Sequence, residues 1–213
     1  EADGFSDGTD GETTLDTSKE LTGIHHAGIA IKDYGSIEVE LDADTAPITV
    51  TNFVKLAQDG FYDGLTFWRI IDGFMMQGGD PKGDGTGGAD ETVKGEFSSN
   101  GVKNDISHVR GTISMARATD PDSGSSQFFI VQAREVPSNM LEQMRDLEDN
   151  GFPADITAAY EALGGTPWLD FRHTVFGQVT EGMDVVDAIA AVETVNDVPR
   201  SDVIIESIEV TEF

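Results

Sequence analysis

From residue 24 onward, apolar and polar positions alternate with a period of two. Ile29 and Ile31 lead into a turn at Lys32-Asp-Tyr-Gly35, after which Ile37, Val39 and Leu41 alternate with Ser36, Glu38 and Glu40. That pattern predicts a β-hairpin with one buried face. The next segment, residues 45–58, changes period: Pro47 falls in its first turn, Val50, Phe53, Val54 and Leu56 recur at helical spacing, and Gly60 stands just past its end. Start and stop signals together predict a helix. Short strand-like runs follow at 65–71, 74–77, 111–116, 127–131, 174–179 and 203–212, separated by Gly, Asp and Ser clusters. A second helix is expected over 183–192, where Val185, Val186, Ile189 and Ala190 share a face. Many short strands and few helices point to a barrel or sandwich.

Two stretches depart from the rhythm. Over 135–167, Met140, Leu141, Met144 and Leu147 recur at helical spacing, Gly151 and Pro153 interrupt, and Ile156, Ala159, Tyr160 and Leu163 resume before Gly164-Gly165. An αα-hairpin inserted into a β domain fits best. Residues 1–23 carry seven acids, one Lys and little to bury, which reads as an acidic disordered tail or tether ahead of one domain at 24–213. Glu1 in place of Met, followed by a polar spacer, fits the remnant of a cleaved export signal. The expected location is therefore extracellular or in the cell envelope, with a lipid anchor as one form of attachment. Asp outnumbers Glu by 24 to 16, so the cytoplasm of a salt-adapted organism is the alternative.

Charge and composition narrow the function. Forty acidic residues against 13 basic ones give a formal charge of −27, which repels phosphate backbones and anionic membranes and argues against nucleic-acid partners. No run of about 18 apolar residues predicts a membrane span. Zero cysteines remove disulfides, thiol catalysis and Cys-ligated zinc. Gly83 to Gly88 spells GxGxxG but lacks a following helix and a βαβ setting, so it reads as a loop. Asp80 to Glu91 resembles a calcium loop yet has Lys82 where an oxygen ligand is needed and no flanking helices. His25-His26 reads as solvated, and Asp122 to Ser126 lacks the nucleophile-elbow pattern. Neither metal nor cofactor is expected.

The informative blocks are Phe67-Trp-Arg-Ile-Ile-Asp-Gly-Phe-Met-Met-Gln-Gly-Gly-Asp80, Gly111-Thr-Ile-Ser-Met-Ala116, Ser126-Gln-Phe-Phe-Ile130 and Trp168-Leu-Asp-Phe-Arg-His-Thr-Val-Phe-Gly177. An arginine among apolar strand residues suggests a guanidinium facing a pocket. In order and spacing these blocks resemble the cyclophilin family of peptidyl-prolyl cis-trans isomerases, over residues 28–134 and 167–213. The resemblance implies a mainly β fold: a closed eight-stranded antiparallel barrel capped by two helices, here with the αα-hairpin inserted. It implies catalytic roles for Arg69, Gln77, Phe129 and His173. Phe74, Met75, Phe129 and Leu169 would form a proline pocket, with Gln77 and Gln127 holding the peptide backbone. Ala116 would be the wall under the preceding residue, Trp168 and His173 the far rim, and Gly87 and Gly88 part of a glycine-rich loop beside the groove. Implied partners are proline-containing peptides and unfolded or folding proteins, as for a chaperone, and cyclosporin-like cyclic peptides; a monomer is expected. The alternative is a non-catalytic module of the same fold that binds Pro-containing segments. Phe171 stands where the family usually has glycine, so a strained turn is expected before His173. The insert is expected to border the groove.

Overall fold

The computed structural model describes residues 14–148 and 152–211. The hairpin forms as β1 (Ile24–Ile31) and β2 (Gly35–Asp42), followed by α1 (Pro47–Gln58), β3 (Phe67–Ile71), β4 (Met75–Gly78), β5 (Thr112–Met115) and β6 (Phe128–Val131). The insert supplies α2 (Ser138–Asp146) and α3 (Ala154–Leu163). After it come β7 (Val175–Glu181), α4 (Met183–Ala190), the short pair β8 (Thr194–Val195) and β9 (Val198–Pro199), and β10 (Ile205–Thr211). The interruption read at Gly151 and the far end of the last expected strand, at residue 212, lie outside the described residues.

Eight strands form one antiparallel sheet in the order β10-β1-β2-β7-β5-β6-β4-β3. The expected barrel is therefore a curled sheet and not one continuous closed ladder. Its two edges approach each other through an isolated bridge between Thr66 and Ile204 and backbone bonds joining Gly64, Leu65 and Phe67 to Val203 and Ile205. The main core fills the inside of the curl: Ile29, Ile37, Leu41, Phe67, Ile70, Met76, Phe128, Ile130 and Phe176 pack with Phe53 and Val54 of α1 and Val186 and Ile189 of α4. Four helices are present among the described residues. Of these, α1 and α4 bury their apolar faces against the main core, and α2 and α3 pack on each other.

α1 starts without a local cap. Ala46 precedes Pro47, and no acid lies in the first turn. The amides left without an intrahelical acceptor are instead met from far along the chain: the buried Glu96 accepts from the Thr49 N–H (2.7 Å), the Ile48 N–H (3.2 Å) and the Thr49 hydroxyl (2.8 Å). Residues 14–23, read from sequence as tail, lie along this helix. The Leu15 amide donates to Gln58 Oε1 and the Leu21 amide to Thr51 Oγ1, while both leucines pack on the core. Residues 1–13 of that stretch lie outside the described residues.

Candidate active site

Strand periodicity puts chemistry on the outer face wherever the core takes the inner one. Along β3, Ile70 points inward and Arg69 does not. On β4, Met76 joins the core and Met75 and Gln77 face out, and on β6 the same holds for Phe128 and Ile130 against Phe129 and Val131. Register then brings the outward residues side by side: Arg69 opposes Gln77, Gln77 opposes Phe129, and Phe129 opposes Ser114. Met75, Phe129, Val131 and Ala133 form a second small apolar cluster, joined by Phe74, Ala116 and Leu169. This cluster floors a hollow of about 310 Å³ whose walls include Arg69, Gln77, Ala116, Leu169 and His173. A neighbouring hollow of about 250 Å³ shares Gln77, Gly85, Ala116 and Arg117 with it and adds Gly87 and Gln127, so the two make one groove.

Of the twelve residues singled out from sequence, ten therefore line this groove. Trp168 lines neither hollow; it is 43% exposed and stands edge-to-face with Phe74 at 5.7 Å. Gly88 lines neither hollow and lies against Ser125, whose hydroxyl accepts from the Ala89 amide. No residue of the insert lines either hollow, so the expectation that it borders the groove is not met; its end is tied by backbone bonds to His108 and Arg110.

Arg69 makes no side-chain hydrogen bond or ion pair with any described residue, although Arg110, Arg134, Arg145 and Arg200 all find carboxylates. A guanidinium with five donors and no internal acceptor, on the wall of an apolar hollow, is free to serve a ligand. Gln127 is placed differently. Its Oε1 accepts from Trp68 Nε1 and Gln77 Nε2, each at 3.0 Å, and its Nε2 donates to the carbonyls of Gly85 (3.2 Å) and Gly87 (2.8 Å). Every hydrogen-bonding position of that amide is taken, so it fixes the glycine-rich loop and orients Gln77. Asp80 holds the same loop from the other side through the amides of Lys82 and Gly85, which uses up the carboxylate that opened the apparent calcium loop.

His173 donates from Nδ1 to the Met115 carbonyl at 3.0 Å, because a carbonyl can only accept, and its ring stands edge-on to Phe129 at 5.5 Å. Burial pushes its pKa down to about 4, the Met115 bond opposes this, and His108, Arg117 and Arg172 add to it. The ring is therefore neutral at pH 7 and presents the unprotonated Nε2. Phe171, two residues before it, has φ of 67°, so the strained turn expected from sequence is present.

Sequence reasoning missed the layer beneath. His108 is fully buried, stacks on Phe129 with ring centroids 6.1 Å apart, and joins Asp170 through Nδ1 (2.8 Å) and Ser114 Oγ through Nε2 (2.9 Å). No local pattern marks a contact between residues 62 apart. The run Asn104-Asp-Ile-Ser-His108 belongs to none of the blocks singled out from sequence.

A family model described as cyclophilin type peptidyl-prolyl cis-trans isomerase matches residues 26–210. The chain belongs to this family. As a cyclophilin it is a peptidyl-prolyl isomerase, and curated relatives agree. Proteins of Staphylococcus saprophyticus and Staphylococcus aureus that carry peptidyl-prolyl cis-trans isomerase in their names are 46% and 47% identical over 179 and 184 residues, covering 84% of this chain and 88% of theirs. A cyclophilin-type isomerase of Cryptosporidium parvum has the same fold, with a TM-score of 0.69 at 23% identity over 90% of this chain and 99% of its own.

Proposed function

We propose that this cyclophilin accelerates rotation about X-Pro bonds in peptides and folding proteins by stabilising the twisted amide with Arg69. The uncatalysed reaction is slow because amide resonance sets a barrier of about 18–20 kcal/mol. Twisting the bond localises the lone pair on the prolyl nitrogen, which becomes an acceptor only then. An Arg69 N–H donated to that nitrogen is absent in the planar ground state and present in the twisted one, so it lowers the barrier and does not merely tighten binding. The ring rests on Phe74, Met75, Phe129 and Leu169, which hold it still while the acyl side turns, and the low polarity there favours the less polar twisted amide. Gln77, held by Gln127 through one N–H, keeps Oε1 for a substrate amide. A rate gain of roughly 10⁵ requires about 7 kcal/mol, within reach of a charged hydrogen bond combined with fixation.

The carrying observation is the Arg69 guanidinium, without an internal acceptor, on the wall of the apolar hollow. A second C. parvum cyclophilin structure was solved with the dipeptide Ala-Pro present, which supports X-Pro peptides as the ligand class. In a protease-coupled prolyl-peptide assay, Arg69→Ala is expected to lose at least about 100-fold in kcat/KM, and Arg69→Lys most of that, since an ammonium lacks the planar fork. Full activity of Arg69→Ala with unchanged folding sinks the mechanism. Peptide binding by the wild-type chain with no turnover would favour the non-catalytic module instead.

A further inference from the structure

The insert lines neither hollow, yet one of its side chains reaches the layer under the groove. Tyr160 on α3 is fully buried in a small core with Val136, Leu141 and Met144, and its hydroxyl leaves that core to donate to the Asp170 carboxylate, 2.7 and 2.6 Å from the two oxygens. The same oxygen accepts from the His108 N–H at 2.8 Å. Burial and the neighbouring carboxylate push the phenol pKa far up, so it stays a donor. Asp170 Oδ1 also receives the His108 amide and ring Nδ1, at 2.9 and 2.8 Å, whereas among the described residues the only donor to Oδ2 is Tyr160. A second contact lies one residue on: the Phe152 ring meets Phe171 at 6.2 Å, the residue held at positive φ. Backbone bonds from Thr166 to the His108 carbonyl and from Arg110 to the Gly164 carbonyl tie the end of the insert to the same loop.

We propose that the insert is a positioning device for the groove, in which Tyr160 acts through Asp170 and His108 to fix Phe129 and the segment from Leu169 to His173. Tyr160 is a positioning residue, since it touches no groove surface. The chain of contacts is continuous: Tyr160 hydroxyl, Asp170 carboxylate, His108 imidazole, Phe129 ring, His173 edge. Tyr160, Asp170, His108 and Phe129 are buried and His173 partly so, which leaves the first four little room for one to move without the next. Removing the phenol oxygen strips Asp170 Oδ2 of its side-chain donor, and a buried carboxylate in that state draws in water or turns toward another donor. Either response displaces His108 and with it the ring that floors the hollow.

This inference rests on the isomerase reading, and the test separates the two. Tyr160→Phe keeps the ring and its packing. Expected are a kcat roughly tenfold lower with KM changed less than about twofold, as for misplacement of groups that fix the reacting geometry, and a rise of the His173 titration from about 4 toward the ordinary 6.5, followed through its ring proton by NMR. The groups facing that ring are His108, Arg117 and Arg172 together with the Met115 carbonyl, so admitted water and the withdrawal of His108 both move it upward. A lower Tm with unchanged kcat and unchanged His173 titration overturns the proposal and leaves the insert as a stabilising appendage. Should Tyr160→Phe not fold, hydrogen exchange of the wild-type chain decides: amides of Leu169, Asp170 and Arg172 opening in step with those of α3 support it, and rates separate from those of α3 overturn it. Absence of wild-type turnover would fell the isomerase reading while leaving the titration and exchange results meaningful.

Discussion

Replacing Glu96 tests whether a carboxylate far along the chain is what starts α1. The helix has alanine at its N-cap position and no acid in its first turn, so the Ile48 and Thr49 amides and the Thr49 hydroxyl depend on this one side chain. Glu96→Ala leaves two helix-end donors and a buried hydroxyl without acceptor. Loss of a cap costs about 0.5–2 kcal/mol, and hydrogen bonds to a charged group about 1.5–3 kcal/mol. Against this stands the relief of desolvation, because burial pushes the Glu96 pKa up in spite of the donors around it. A net loss of about 2–3 kcal/mol follows, or roughly 5–10 °C in Tm for a chain of this size. Glu96→Gln keeps an acceptor for Thr49 and removes the buried charge, so it should cost less than half as much. The sign of the pH effect is fixed by the raised pKa: the fold favours protonated Glu96, so this contribution is full below the unfolded carboxylate value of about 4.5 and is lost as pH rises through the folded one. Glu96→Gln should therefore differ from wild type in how Tm varies across that window. Thermal unfolding of wild type and both variants, monitored by circular dichroism at pH 4 and pH 7, gives the comparison. Equal losses for the two variants, or an unchanged Tm for Glu96→Ala, would refute the reasoning.

Gln127→Ala should free both the glycine-rich loop and Gln77, raising KM for prolyl peptides about three- to tenfold with a smaller effect on kcat; steady-state kinetics with a long peptide checks this, and an unchanged KM counts against the role assigned to that amide. At Phe171 the usual ranking of alanine above glycine should reverse. Both substitutions lose the contact with Phe152, but only glycine relieves the left-handed backbone, so Phe171→Gly should be more stable than Phe171→Ala by about 1 kcal/mol, as read from denaturant midpoints.

Where the chain repeats with period two, the strands were legible to within a few residues of their ends. The alternation that separates Phe128 from Phe129, or Ile70 from Arg69, both builds the core and aims the site. Elements too short to show a period escaped. β8 and β9 have two residues each around Asn196-Asp197, both at positive φ, and the Asp197 carbonyl accepts from the Ile70 amide beside Arg69. Leu15 and Leu21 are isolated apolar residues in a polar run, and only the surface of α1 gives them a place. The layer of His108, Asp170 and Tyr160 was illegible for another reason. Its members come from a loop, a turn and the insert, and burial converts three ordinary polar residues into one network. Gln127 shows the converse: its membership of the groove could be read, but that its amide is consumed internally depends on Trp68, a neighbour known only from the fold.

The arrangement of Arg69, Gln77 and Phe129 across three strands makes strand register a chemical variable. On β4 and β6 the outward residues alternate with core residues, so removing a single residue from the turn at Asp72-Gly73 would send Met76 into the groove and Gln77 into the core, with every individual side chain still present. Point substitutions on the outer face can retune such a groove one position at a time at little cost to the core. A change in turn length cannot be absorbed that way. Variation in this enzyme should therefore accumulate as replacements on the strands and as added length at loops such as the one that holds α2 and α3, and the number of residues between Arg69 and Gln77 should be as invariant as the arginine itself.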